Sequence, residues 1–186
     1  TKYCDGSDSP DKYVDEAKEY VAHHFPDNPG TTDDFPWPTN HEEAVQWLDE
    51  FVETRLDDFG PFEDAIDGKA PWVYHSALSP VINIGLLSPM QVVDTAVKRH
   101  EQREVPMASL EGFVRQVLGW REYMRAIYVD RHVQLRTTNT FNHQRHLTND
   151  WYYGTTGIPP VDDVIKKTLA RGYAHHIERL MVVGNM

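Results

Sequence analysis

The 186 residues contain a single cysteine, Cys4, and that scarcity closes several classes of chemistry. No intrachain disulfide, CxxC redox pair or self-contained four-thiolate cluster can be built from it. Long apolar runs are missing too, since none approaches the roughly 18 residues needed to span a bilayer. Residues 1–5 have neither the charged nor the apolar region of a signal peptide. The chain therefore reads as soluble and cytoplasmic, with no membrane partner. Period-two alternation of apolar and polar residues is absent, which argues against strands. GxSxG, P-loop, GxGxxG and HExxH patterns are lacking as well, so the familiar hydrolase and NTPase templates fail.

Positive charge is scarce in one part of the chain only. Residues 1–67 carry four basic against 19 acidic side chains, a net of −15, whereas residues 68–186 carry 14 against 10, a net of +4. An acidic chain is ordinarily a poor candidate for nucleic acid, because neutralised phosphates supply most of the non-specific affinity. The second segment escapes that objection. Its arginines are concentrated at Arg99, Arg103, Arg115, Arg121, Arg125, Arg131, Arg136 and Arg145. They read either as a mixed solvated face or as the basic side of a nucleic-acid binder. The acidic first third reads as solubility in high salt or as a surface turned away from an anionic partner.

What is present in abundance is helical pattern. Ser9-Pro10 supplies a cap and a first-turn proline before Tyr13, Val14, Ala17, Tyr20, Val21 and His24 recur at helical spacing. Residues 25–38 are dense in Pro, Gly, Asn and Asp and read as a connector, which places a boundary near Asp34. Residues 1–34 are then an interdomain connector with a short helix, and 35–186 a helical domain. Residues 39–42 have the capping-box form ahead of Ala44, Val45, Leu48, Phe51, Val52 and Leu56. Residues 57–74 read as a loop rich in Asp and Gly. Ser79-Pro80 opens a short helical turn through Gly85, and Ser88-Pro89 a helix to about Glu104. Ser109 begins the longest pattern, with Leu110, Phe113, Val114, Val117, Leu118, Met124, Ile127 and Tyr128 on one face over about six turns. Residues 132–158 are polar and aromatic without a period, a long loop of the kind that is often functional. Pro159-Pro160 starts the last helix, with Val164, Ile165, Thr168, Leu169, Gly172, His176, Leu180 and Met181 on its inner stripe. The fold class is all-α.

Ten histidines invite a metal reading. His23-His24 and His175-His176 are neighbours on helical patterns, about 100° apart, and cannot readily grip one ion. His143 and His146 are better spaced but have no carboxylate or thiolate at ligand spacing, so no metal site is assigned. Three clusters remain: the turn His75-Ser76-Ala77-Leu78-Ser79-Pro80, the stretch Trp120-Arg121-Glu122-Tyr123, and the pair His175-His176. The helix start near Ser79 offers unpartnered N–H groups and hydroxyls that suit a diphosphate, or else ordinary caps. Arg121 and Glu122 are either functional or a buried pair that orients two helices. His175 and His176 are either proton donors or hydrogen-bonded core residues.

Taken together, these segments resemble the photolyase and cryptochrome superfamily. Ser76-Ala77-Leu78-Ser79-Pro80, with Gly85 and Ser88-Pro89, looks like its flavin-phosphate turn. The run Glu111-Gly112-Phe113-Val114-Arg115-Gln116-Val117-Leu118-Gly119-Trp120-Arg121-Glu122-Tyr123 and the run Tyr173-Ala174-His175-His176-Ile177-Glu178-Arg179-Leu180-Met181 are closer still to one branch. That branch is the prokaryotic photolyase-related proteins with an iron-sulfur cluster that repair (6-4) photoproducts. The resemblance runs from about Phe35 to Met186.

The resemblance implies an all-α FAD-binding domain, of which 35–186 is the N-terminal portion, with the flavin at the bottom of a pocket that accepts a flipped-out lesion of UV-damaged DNA. Ser76, Leu78 and Ser79 would hold the diphosphate, with Asn83, Arg121 and Arg179 also on the flavin side. Arg115, Gln116 and Trp120 would face the lesion and DNA. His175 and His176 match the histidine pair that supplies or steers a proton, a task suited to a group that titrates near neutrality. Trp151, Tyr152 and Tyr153 fall in the family's aromatic run and would carry electrons to the flavin. The protein is expected to be a monomer. A [4Fe-4S] cluster belongs to the branch, but Pro160 stands where its first cysteine should be. The other three ligands and the later pocket helices are expected beyond Met186, and the antenna domain lies outside this chain.

Three functions follow from these features. The first is a light-driven, FAD-dependent photolyase of the (6-4) type with His175 and His176 in proton transfer. The second is a cryptochrome-like flavin photoreceptor without repair activity. The third is a helical interaction domain whose motifs are only core packing. The resemblance favours the first.

Overall fold

A computed structural model describes residues 12–70 and 72–184, and every regular element among them is helical, as the periodicity predicts. The order is α1 (Lys12–His24), α2 (His41–Thr54), α3 (Leu56–Phe62), α4 (Ser79–Asn83), α5 (Pro89–Gln102), α6 (Met107–Thr137), α7 (Asp150–Tyr153) and α8 (Pro159–Arg171), followed by a π-helical segment, Glu178–Val183. The Ser9-Pro10 cap and Cys4 lie outside the described residues.

The core begins with α2. Asn40 rather than Thr39 is its cap: the Asn40 side chain accepts from Glu43 N at 2.9 Å, and Glu43 Oε2 accepts from Thr39 N at 2.9 Å. The cap expected at Thr39 therefore forms one residue later, with Glu43 reaching back past it to the Thr39 N–H. Ala44, Trp47, Leu48, Phe51 and Val52 form the buried stripe. Residues 57–74 do not form the expected loop throughout, because α3 occupies 56–62. Leu56 and Phe59 are buried, while Asp57 and Asp58 sit in the first turn, where the helix dipole favours carboxylates. An Asp- and Gly-rich stretch can thus be a helix start as readily as a loop.

Phe51, Phe59 and Phe113 join α2, α3 and α6 in one aromatic cluster, with ring centroids 4.8 Å apart for Phe51 and Phe113 and 5.6 Å for Phe59 and Phe113. The approach of α3 to α6 requires Gly60, because a Cβ there would lie 2.8 Å from Ser109 N. In place of a side chain, Gly60 N donates to Ser109 Oγ at 2.9 Å, and Ser109 Oγ donates to Asp57 O at 2.7 Å. Arg99 and Arg103, at the end of α5, pair with Glu53 and Asp57. Part of the charge asymmetry along the chain is therefore internal, since acids of α2 and α3 are counter-ions of α5.

The central helix starts at Met107 and runs 31 residues to Thr137, so helix replaces the first part of the loop expected over 132–158. Its apolar stripe is buried only at the start. Leu110, Phe113 and Val117 are buried, but Met124 and Tyr128 are 47% and 68% exposed. The last expected helix is also divided. Gly172, at φ 63°, ends α8 in the left-handed conformation, its N–H donating to Thr168 O at 2.8 Å. His176, Leu180 and Met181 follow that break and do not share the stripe of α8, and Leu180 and Met181 are exposed. Helix α1 has no buried residue. Segment 25–39 carries no helix, yet its Trp37 packs against Trp47, Trp72 and Tyr173 at 6.2, 5.2 and 5.6 Å.

Candidate active site

The turn at Gly172 brings the next residues back onto segment 72–78, with Tyr173 4.7 Å from Trp72 between ring centroids. Three histidines meet there. His75 meets His175 edge to face at 4.5 Å and stacks on His176 at 5.1 Å, with 19° between the planes. His75 and His175 are buried, and neither ring nitrogen of either has a hydrogen-bond partner. Burial, reinforced by His175, His176 and Arg55, pushes the pKa of His75 down to about 3, so it is neutral across the physiological range. Arg55, at the end of α2, holds the backbone of this turn by donating Nη1 to His75 O at 3.0 Å. Burial also lowers His175 and His176. Glu178 opposes that effect at His175, and Glu63 and Asp64 oppose it at His176.

A cavity of about 100 Å³ opens beside this cluster. The serine turn contributes His75, Ser76, Leu78 and Ser79, α6 contributes Gln116, Trp120 and Arg121, and the last segment contributes Tyr173, His176 and Arg179. A larger cavity, about 560 Å³, adjoins it across Ser79, Tyr173 and Arg179 and takes in Asn83, Trp151, Tyr152 and the apolar side of α8. Residues drawn from widely separated motifs thus line two neighbouring cavities. Three expected site residues line neither cavity. His175 is buried behind His176, Arg115 is exposed and paired with Glu111 at 3.1 Å, and Tyr153 is 65% exposed.

Local geometry decides several alternatives. Leu78, not Ser79, precedes α4, and no side-chain cap forms there. The hydroxyls of Ser76 and Ser79 make no hydrogen bond among the described residues, so they are not spent as caps. Ala77, between Ser76 and Leu78, is held at φ 54°, a conformation that side chains rarely adopt and that is found disproportionately at functional turns. Arg121 does not pair with Glu122. Its Nη1 donates to Val117 O at 2.7 Å and its guanidinium lies 5.1 Å over the Trp120 ring, while Glu122 pairs with Arg125 at 3.1 Å. Arg121 and Arg179 reach the cavity without a carboxylate partner among the described residues. Gln116 is anchored by donating Nε2 to Glu63 Oε1 at 2.6 Å.

Elsewhere, Arg125 and Arg131 pair with Glu122 and Asp130, so much of the arginine-rich face is the mixed, solvated kind. No group of three or more His, Cys, Asp or Glu is arranged to hold a metal among the described residues, and Pro160, in the first turn of α8, has no ligand atom. No described helix is long and apolar enough to cross a membrane. The sequence places His75 in the serine turn and Tyr173 and Glu178 in the last motif run, but gives none of the three a role of its own. His75 heads the serine turn, but a loop histidine carries no periodic signal that it will be buried.

No family model matches the chain. A (6-4) photolyase of Agrobacterium fabrum is 37% identical over 177 residues, which is 95% of this chain but 35% of that protein. The chain therefore spans about a third of the length of that relative. An uncharacterized protein of Acanthamoeba polyphaga mimivirus is 35% identical over 113 residues, 60% of this chain and 85% of its own length. An all-helical fold that gathers the serine turn, the Trp120-Arg121 stretch and the His175-His176 pair, together with identity running along nearly the whole chain, shows that it belongs to the photolyase and cryptochrome superfamily.

Proposed function

We propose that this chain is part of a light-driven, FAD-dependent DNA photolyase acting on (6-4) pyrimidine photoproducts. One observation carries the reading: His176 shares a cavity with Gln116, Trp120 and Arg121 on one side and with the serine turn on the other. The residues fit an FAD. Uncommitted hydroxyls at Ser76 and Ser79, and the guanidinium groups of Arg121 and Arg179, suit a diphosphate. The larger cavity falls within the roughly 300–1,000 Å³ of typical ligand sites. When bound and photoexcited in its reduced form, the flavin supplies an electron to the lesion.

The protein's own residues supply the rest. His176 faces the cavity, so it is the member of the pair that would give a proton to the substrate, with His175 behind it. Burial favours the neutral imidazole, and a nearby anion would restore the charged form, so binding of an anionic substrate would load the proton where it is used. Trp120, 53% exposed, offers a stacking surface for an extruded base, and Gln116 a hydrogen-bonding group beside it. Trp151 and Tyr152, which line the larger cavity, would pass electrons to a bound flavin. Exposed Arg115 would contact the DNA backbone.

The test is light-dependent restoration of an oligonucleotide carrying a (6-4) lesion by the protein that contains this segment, with FAD content read from absorption. His176→Ala is expected to keep the flavin and lose repair. Repair retained in that variant would remove the proton role. A protein that takes up no FAD would overturn the flavin reading, and flavin photoreduction without repair would transfer the assignment to a photoreceptor.

A further inference from the structure

Behind His175 lies a charged group that the mechanism above does not use. Glu178 is 2% exposed, in the first turn of the π-helical segment. A carboxylate so deeply buried needs a partner, because desolvation costs several kcal/mol. Lys167 of α8 provides it, donating Nζ to Glu178 Oε1 at 3.0 Å. Lys167 is itself held by Asp163 at 2.8 Å and by the Asp67 carbonyl at 3.1 Å. The other carboxylate oxygen, Oε2, accepts the His175 backbone N–H at 3.3 Å and lies 3.7 Å from His175 Nε2. Closing that last gap to hydrogen-bond distance takes a displacement of less than about 1 Å.

We propose that Glu178, anchored by Lys167, is the positioning residue of His175, holding its imidazole with Nε2 toward the carboxylate and favouring a proton on that ring against the burial that opposes it. The groups facing His175 are Glu178, His176, Lys167 and Arg179, with His75 against the ring. Only Glu178 among them favours the charged ring, and Lys167 limits how strongly it does so. His176 faces Glu63, Asp64 and Arg179 instead. The two histidines are therefore inequivalent, with a buried ring backed by a carboxylate behind a ring open to the cavity. The use of this buried ring rests on the reading of His175 and His176 as a proton-handling pair; the arrangement itself needs neither flavin nor DNA.

The experiment is an NMR titration of the purified chain with isotopically labelled histidine, in the absence of flavin and DNA. Neutral His175 is expected to carry its proton on Nε2, the nitrogen facing Glu178. Glu178→Gln is expected to lower the titration midpoint of His175 by about one pH unit or more, and that of His176 by less. The amide keeps an acceptor for the His175 N–H, and Lys167 keeps Asp163, so loss of charge is the main change. A His175 protonated on Nδ1, or an unmoved midpoint in the folded variant, would overturn the proposal. The tautomer is read in the native chain, so the test stands even where the variant does not fold. Both readouts are independent of whether the protein repairs DNA.

Discussion

The two halves of α6 carry similar apolar residues in very different surroundings. Leu110, Phe113 and Val117 are at most 7% exposed, packed against α3 and α5. Tyr123, Met124, Tyr128, Val133 and Leu135, on the same helix, are 47–68% exposed. Helical spacing specifies which side chains share a face, but burial depends on whether another element meets that face. The cavity residues Gln116, Trp120 and Arg121 lie where the packed half gives way to the open half. There a side chain can be held at its base and still meet a ligand.

The contrast is measurable. Phe113→Ala should cost about 3–5 kcal/mol in urea unfolding, because it empties the cluster with Phe51 and Phe59, while Tyr128→Ala should stay within about 0.5 kcal/mol. Equal losses at the two positions would show that the far half is packed after all.

Acid should act through the buried histidine cluster rather than through either half of α6. The pKa of His75 is depressed in the fold, so the unfolded chain binds its proton more tightly, and stability falls as pH drops from about 6.5 toward 3 while staying flat above 6.5. The loss from His75 should reach roughly 3 kcal/mol at pH 4. Comparing unfolding at pH 7.5 and pH 4, His75→Phe should remove the His75 share of that difference and leave the part due to His175 and His176; an unchanged pH dependence would mean that His75 is not held neutral.

Two glycines give modest effects, with opposite signs. Gly60→Ala forces a methyl group against the Ser109 backbone and should cost about 1–3 kcal/mol. At Gly119 a methyl would meet only Arg115 Cγ at an ordinary 3.5 Å, so Gly119→Ala should stabilise by up to about 1 kcal/mol through helix propensity. Thermal unfolding of the two variants side by side reads both signs.

Legibility in the sequence follows the range of the interaction. The cap at Ser88, whose hydroxyl accepts from Gln91 N at 3.1 Å, and the helix it opens are as the sequence predicts, because a cap is a contact between residues three apart. The box before α2 slipped by one residue, since Thr39 and Asn40 are both good caps and only the backbone chooses between them. The first residues of 57–74 are helix rather than loop because Asp and Gly favour turns and helix starts alike. Gly172 stood inside the expected stripe of the last helix, yet a glycine in a helical pattern can be tolerated or can terminate it. Most of the expected site residues line the two cavities, but it was the family resemblance that named them, and no local pattern does so.

Helical class, the main caps and the apolar stripes could all be read from local order, because spacings of three and four residues and first-turn chemistry need no distant partner, whereas the site residues were implied only by the family resemblance. The meeting of His75 with His175 and His176, the burial of Glu178 against Lys167, the Gly60 contact and the exposure of the far half of α6 belong to the folded chain alone. Each depends on desolvation and on contacts between segments far apart in sequence, and no local pattern encodes how much water a side chain will lose.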